Sequence, residues 1–583
     1  MSALFAALWL LGLLAAAPML RTETPYGFTD RLRDAIILGV AIPFALAFVH
    51  ALYPLTCWLA LAACVAVASR RPQQHVILSG GAERRSRRTD PPPYLLVAAL
   101  ALVAWPQLMR PLLDGDSLSY HLPNAAAWVH AHSLWTTDPR YWWYPPGSEL
   151  FASGLFAVSG PFSLGWSGFG ALALLGFRLV DWARDEFAAP PWLADALAAA
   201  TVTVAPLALQ GGTLQNDVWL AAFFLEALWT LRRAPAANAR TLAVTVLLKP
   251  YGWLFATIAA LASKAPRNAW LAAAGIFALW VVHDVVLWHA AIVAPASASS
   301  GNTWQSTILA HGLPGLALLV RVALLASPFA LLALFAAVVG PFVAGASHRA
   351  LGWAAVAAAI AFLLMPLAYA DWRPQLETGA SLRYAAPAIA LGALMLARPA
   401  TLAPRISFGL LIVSTLFGAA SVLATYWNDG GTRIALAIAL IAIGNVVLAR
   451  RMRADWPLVA GFAVAVVVAG YLTARHPLDY YVDAQRVGGK ASALYAWIAR
   501  EQPRAVGGWG LRLGIVNVLS PSARAIDLPD RNACATARRE YVSLVAVAET
   551  DRPDSFNALR LSAARGCGPV LFDDGVAVVA EPR

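Results

Sequence analysis

Charged residues stand at the ends of apolar runs in this chain, at positions where they could do chemistry. Asp114 and Asp116 in "LLDGDSLSYHLP" follow one such run, Asp217 in "LQNDVW" opens another, Lys249 interrupts a third in "LLKPYGW", and Arg383 with Tyr384 precedes a fourth in "SLRYAAP". A carboxylate held beside a bilayer can act as a general base, taking the proton of an acceptor hydroxyl while the leaving group stays anchored in lipid. A Lys at membrane depth is costly and usually lines a cavity or binds an anion. The planar fork of Arg suits phosphate. Each residue also has a plain structural explanation. Asp114, Asp116 and Asp217 could cap helix N-termini, Asp114 could simply mark the "DGD" turn, Lys249 could snorkel to the nearer surface, and Arg383 could anchor an interface.

The elements that position these residues must lie in a membrane. Of 583 residues, 60% are hydrophobic and 13% charged, against about a quarter charged in soluble domains. Apolar blocks of about 16 to 22 residues recur, the length needed to cross a hydrocarbon core. The net charge of +11 comes from Arg clusters between these blocks, including "RLR" (31 to 33), residues 69 to 88 and "RLVDWAR" (178 to 184). They read as cytoplasmic orientation signals, so no nucleic-acid partner is expected. The first apolar block lacks a basic n-region and reads as a retained span.

The expected fold class is an all-α polytopic membrane protein with about 16 transmembrane segments, about 13 of them in the core. They start roughly at 2, 35, 52, 93, 163, 190, 217, 241, 251, 269, 323, 351, 383, 407, 433 and 457. Around 241 to 263, "LLKPYGW" predicts a broken or re-entrant pair of half-helices. The domain reading is a transmembrane extension at 1–70, a basic cytoplasmic linker at 71–92, the main transmembrane module at 93–475 and a soluble α/β domain at 476–583. The loop at 110–162, the acids and the tail all fall on the non-cytoplasmic face.

That loop holds two amphipathic stretches too short to span, "HLPNAAAWVHAHSLW" and "SELFASGLF", suited to a lipid-facing ledge. Its Tyr120, His121 and Tyr144 are candidate substrate-loop residues. The tail offers a helix at "ASALYAWIAREQ", strands at "RAVGGW" and "ARAIDL", and a hairpin turning at Asp-Asp-Gly. Cys534 and Cys567 lie in it and can form a disulfide if the face is oxidising, whereas Cys57 and Cys64 read as small core residues. No HExxH or CxxC pattern supports a metal at His121, His130 and His132, so no cofactor is expected, with a divalent ion left open.

In order along the chain, "DSLSYHLPNAAAWV", "YPPGSELF", "QNDVWLAAFFLEAL", "LLKPYGWLFA" and "LRYAAPAIALGAL" resemble the GT-C superfamily of polytopic membrane glycosyltransferases, in particular the bacterial protein O-mannosyltransferase and aminoarabinose-transferase-like enzymes. The resemblance covers about 93 to 475. It implies transfer of a sugar from a polyprenyl-phosphate donor, usually with inversion, to a lipid, glycan or protein acceptor at the periplasmic face of a bacterial inner membrane. It further implies Asp116, rather than Asp114, as the catalytic Asp, Asp217 as the acid that opens a later span, and Lys249 and Arg383 as basic positions facing the lipid phosphate, with Tyr384 beside them as a further donor-binding candidate and Asp217 or Asp114 as the possible second acid. A transporter or flippase of lipid-linked sugars is the competing reading. It would more often show paired interrupted helices, and only "LLKPYGW" is clearly interrupted.

Overall fold

The computed structural model describes residues 2–21, 27–70, 93–138, 144–233, 238–289, 307–365, 380–425, 456–475, 491–529, 532–547 and 554–583, with isolated positions at 441, 444, 447 and 481. The linker at 71–92 and the expected span from 433 lie outside the described residues, the latter apart from those isolated positions.

Leaving aside single turns, the membrane part runs α1 (Ser2–Ala16), α2 (Phe28–Phe48), α3 (Pro54–Arg70), α4 (Tyr94–Leu108), α5 (Leu122–His130), α6 (Gly147–Ser159), α7 (Trp166–Asp185), α8 (Pro191–Val202), α9 (Asp217–Arg233), α10 (Asn238–Val246), α11 (Gly252–Ala262), α12 (Arg267–Trp288), α13 (Gly312–Ala326), α14 (Pro328–Val338), α15 (Arg349–Leu364), α16 (Ala386–Leu402), α17 (Pro404–Thr425) and α18 (Trp456–Arg475). Six helical runs among the described residues are long and apolar enough to cross a bilayer: Ser2–Leu20, Pro161–Asp185, Arg267–Leu287, Ala346–Leu364, Ser381–Leu402 and Pro404–Ala424. The chain is therefore a multi-pass membrane protein. Most helices begin close to the expected starts, but many are shorter than a full span. The segment expected from about 323 is two helices, because Pro328 cannot continue α13 and Ser327 Oγ instead accepts the Ala330 N–H at 3.4 Å to start α14.

At the centre lies α9, buried on every side from Asp217 to Leu231. A helix that is apolar all round belongs inside. Lipid tails are as apolar as Leu, so the bundle is held by close packing and polar contacts rather than by burial from water. A network of polar contacts corrects the reading of "RLR" and "RLVDWAR" as loops, since both stretches are helical. Arg33 lies inside α2 and Arg178 inside α7, and both are buried. Arg178 binds both oxygens of Glu226 on α9, at 2.7 Å from Nε and 3.0 Å from Nη2, and Asp30 on α2 at 2.7 Å. Arg33 binds Asp34 at 2.9 Å and reaches Asp30 at 3.4 Å. Interspersed acids neutralise these arginines, and a buried ion pair needs no loop. The N-terminal helices are tied into the bundle by this network, and α1 packs on α18 and α6.

The tail is α/β. It comprises α19 (Ser492–Glu501), β1 (Ala505–Trp509), α20 (Leu513–Leu519), β2 (Arg524–Asp527), α21 (Ala533–Arg539), β3 (Ser543–Val547), α22 (Asp554–Arg565), β4 (Val570–Asp573) and β5 (Ala577–Ala580). Sheet order is β2-β1-β3-β5-β4, with β1 parallel to β2 and β3, and β5 antiparallel to β3 and β4. The β4-β5 hairpin turns at Asp573-Asp574-Gly575, where Gly575 takes a φ of 86° that favours glycine. A disulfide joins Cys534 and Cys567, and Cys57 and Cys64 are free thiols.

Candidate active site

Four chain segments deliver the site. After α4 ends at Leu108, the chain turns at Asp114 and winds through a π-helical turn, Ser117–His121, into α5. Such widened turns are uncommon and often sit at functional sites. Asp114 is the residue that shapes the turn. Its Oδ1 accepts the Ser117 N–H at 2.8 Å and the Gln215 side-chain N–H at 3.3 Å. Burial raises its carboxyl above the usual value, and neighbouring Asp116 adds to the rise.

Asp116 makes no capping bond. Its carboxylate meets Arg383, with Nη2 at 2.6 Å from Oδ2. Arg383 stands in a 3-10 turn, Ala380–Ala385, just before α16, and its Nη2 also donates to the Tyr384 hydroxyl at 3.2 Å. Its Nε lies 3.5 Å from Asp217 Oδ2 without making a hydrogen bond.

Asp217 opens α9, yet its carboxylate does not cap the helix, since the Val218 N–H goes to the Gln210 side chain at 3.0 Å. Asp217 Oδ1 instead accepts Lys249 Nζ directly and the Tyr251 hydroxyl at 3.4 Å. Lys249 does not snorkel. It is buried, and its ammonium sits 5.3 Å from the Tyr251 ring centroid and 5.1 Å from that of Tyr384. The expected break explains its reach: α10 stops at Val246, Pro250 cannot continue it, and α11 resumes at Gly252. Asn216 holds the broken strand of chain through Leu248 O at 2.8 Å. Gly147 N donates to Leu247 O at 2.6 Å, an approach that no Cβ would allow, because it would stand 2.8 Å from that oxygen.

The sequence candidates thus converge: Asp116, Arg383, Asp217 and Lys249 form one chain of contacts, with Tyr384 beside it. Among the remaining loop residues, Tyr120 and Tyr144 stack edge-on at 5.9 Å between centroids. His121 faces the interior, its Nδ1 at 2.6 Å from Glu149 Oε1, and Ser148 donates to Glu149 Oε2 at 2.9 Å. Sequence reasoning missed Glu149 and Tyr251, although both lie in motifs it had quoted. It missed Gln215 as well, two residues before Asp217. Among the described residues, no group of three or more His, Cys, Asp and Glu is placed to hold a metal ion.

Chemically, two cations and two carboxylates lie in alternation. Asp116 and Arg383 keep the most solvent access, with 33% and 20% of their side chains exposed, against 4% for Asp217. An anion entering here can compete for Arg383 and Lys249 and free a carboxylate as it binds.

No protein-family model and no curated protein matches the sequence. Among solved structures, the chain is similar to ArnT from Cupriavidus metallidurans bound to undecaprenyl phosphate, at 16% identity and a TM-score of 0.43. It is also similar to the same protein in the apo state, at 17% identity and a TM-score of 0.45; each match covers 84% of this chain and 98% of the other.

Proposed function

We propose that the protein is a membrane glycosyltransferase that moves a sugar from a polyprenyl-phosphate donor to an acceptor hydroxyl at the periplasmic face, with inversion and with Asp116 as general base. The observation that carries this reading is Arg383 bridging Asp116 and Asp217 while Lys249 holds the other oxygen of Asp217. Base and phosphate-binding cations are then within one side-chain length of each other, as the reaction requires.

In this mechanism the donor phosphate enters beside Lys249 and Arg383. Arg383 exchanges its bond with Asp116 for a phosphate oxygen, and the freed carboxylate accepts the proton of the acceptor hydroxyl. The acceptor oxygen forms a bond to the anomeric carbon as the bond from that carbon to the phosphate oxygen breaks. The leaving polyprenyl phosphate gains negative charge in a site that excludes most water, where fixed cations stabilise it most. Tyr384 accepts a hydrogen bond from Arg383 and its ring lies against both cations, while the Tyr251 ring lies against Lys249 and its hydroxyl donates to Asp217. The loop helices α5 and α6 are buried except at His130 and Ala157, so the lipid-facing ledge expected from the sequence is not formed by them; they pack inside the fold and support the turn that carries Asp116.

The test is transfer of radiolabel from polyprenyl-phosphate sugars to membrane acceptors by wild type and Arg383→Ala at equal folded yield. Transfer by wild type and its loss in the variant support the reading. If wild type transfers nothing while moving the lipid-linked sugar across the bilayer, a flippase is correct instead.

A further inference from the structure

The tail grips the segment that carries Asp116 at several points. Before the acid, the Tyr481 hydroxyl donates to Leu112 O at 2.9 Å. Beyond it, His130 Nε2 donates to Pro521 O at 2.7 Å, and Arg524 clasps Asp138 with Nε at 2.9 Å and Nη2 at 2.8 Å while also holding Glu540 at 3.0 Å. Between these anchors, α20 lies directly on the π-helical turn. A Cβ on Gly514 would stand 2.6 Å from both Leu118 Cα and Leu118 O. Both are backbone atoms, so no side-chain rotation could relieve the contact, and Leu118 is fully buried beneath it. Leu118 is two residues from Asp116.

We propose that the C-terminal domain is a positioning element of the transfer site: Gly514 seats α20 on the turn and so fixes where the Asp116 carboxylate meets Arg383, with the Arg524–Asp138 clasp holding the domain down. This rests on the reading of Asp116 as the base. Gly514 and Arg524 are positioning residues and touch no reacting atom. The design puts the base on a turn clamped from both sides, by the Asp114 and Ser117 bonds below and by the tail above. Small displacements of a catalytic group carry large rate penalties.

The test uses the full-length protein in lipid nanodiscs. Transfer kinetics and hydrogen–deuterium exchange of residues 114–122 are measured for Gly514→Ala, Arg524→Ala, Arg524→Lys and a control, Arg565→Ala, whose ion pair lies elsewhere in the tail. Gly514→Ala is expected to lower kcat about tenfold or more, with the donor KM within about twofold of wild type, and to speed exchange across 114–122. Arg524→Ala is expected to lower kcat about threefold, with partial rescue by Arg524→Lys, and Arg565→Ala to leave both readouts unchanged. Wild-type kcat and exchange in folded Gly514→Ala would overturn the proposal. If that variant does not fold, the same null result in Arg524→Ala overturns it. If wild type transfers no sugar yet Gly514→Ala still speeds exchange in 114–122, the coupling stands and the transferase reading fails. If transfer depends on Asp116 but ignores both tail variants, the transferase reading stands and the positioning role fails.

Discussion

Helix α9 carries two charged clusters nine residues apart, about 13 Å along its axis, and they are built to opposite ends. At its start, Asp217 joins Lys249, Arg383 and Asp116; further in, Glu226 joins Arg178, Arg33 and Asp30. In the second cluster, Arg178 satisfies both oxygens of Glu226, and side-chain exposure is 1% and 0% for the pair. A sealed, bidentate pair has nothing to offer a ligand, and separating it would strand a charge in a dry interior. In the first cluster Arg383 keeps an N–H without a hydrogen bond, and Asp116 is one-third exposed. Asp116 and Arg383 keep solvent access although Asp217 and Lys249 are buried, so the Asp116–Arg383 pair can exchange partners. The lesson is that ion-pair composition does not separate structure from function; access and unmet hydrogen-bonding capacity do.

The largest effect that would sharpen this contrast falls on the sealed cluster. Glu226→Ala leaves two arginines without their shared carboxylate and should cost about 3 to 5 kcal/mol of stability. Thermal unfolding in detergent reads this directly, and a variant of wild-type stability that nonetheless fails to transfer sugar would break the comparison by putting Glu226 in the reaction. A middle-sized effect belongs to the first cluster. Lys249→Ala should weaken polyprenyl-phosphate binding about 10- to 100-fold, the loss of one charge-assisted hydrogen bond. Unchanged binding by calorimetry in the folded variant would mean that Lys249 serves Asp217 alone.

The smallest effect belongs to a third environment, the surface of the tail. Arg565 binds Asp573 at 2.6 Å and 3.0 Å and, with the Gly575 N–H, lowers the Asp573 carboxyl to about 2. A depressed carboxylate contributes stability above its unfolded value, about 3.9, and that contribution is lost as pH falls through about 2. Solvent screens so exposed a pair, so Arg565→Ala should cost less than about 1 kcal/mol. Nuclear magnetic resonance titration should show the Asp573 midpoint moving up toward the ordinary range. A midpoint that stays near its wild-type value would assign the depression to the hairpin turn rather than to Arg565.

Much of the site was legible because its residues break a strong pattern. Asp116, Asp217, Lys249 and Arg383 each interrupt or bound an apolar run, and charge at that place demands a reason. The broken helix at Lys249 was legible for the same reason, through Pro250. What stayed hidden depends on pairing across long separations. Arg33 and Arg178 looked like loop charges because the rule that reads basic clusters as cytoplasmic ignores neighbouring acids; Asp30 and Asp34 beside Arg33, and Glu226 within "AAFFLEALW", were the available signals. The His121–Glu149 pair and the seat of Gly514 on Leu118 have no local signature, since each joins segments that only the fold brings together.

In the proposed reaction Asp116, and not its neighbour Asp114, removes the acceptor proton. The most direct test of this role compares sugar transfer and polyprenyl-phosphate binding in wild type, Asp116→Asn and Asp114→Asn at equal folded yield. Asp116→Asn is expected to lower kcat about a hundredfold to ten-thousandfold with donor binding retained, and Asp114→Asn to cause a far smaller loss. Transfer by Asp116→Asn at the wild-type rate would contradict this role.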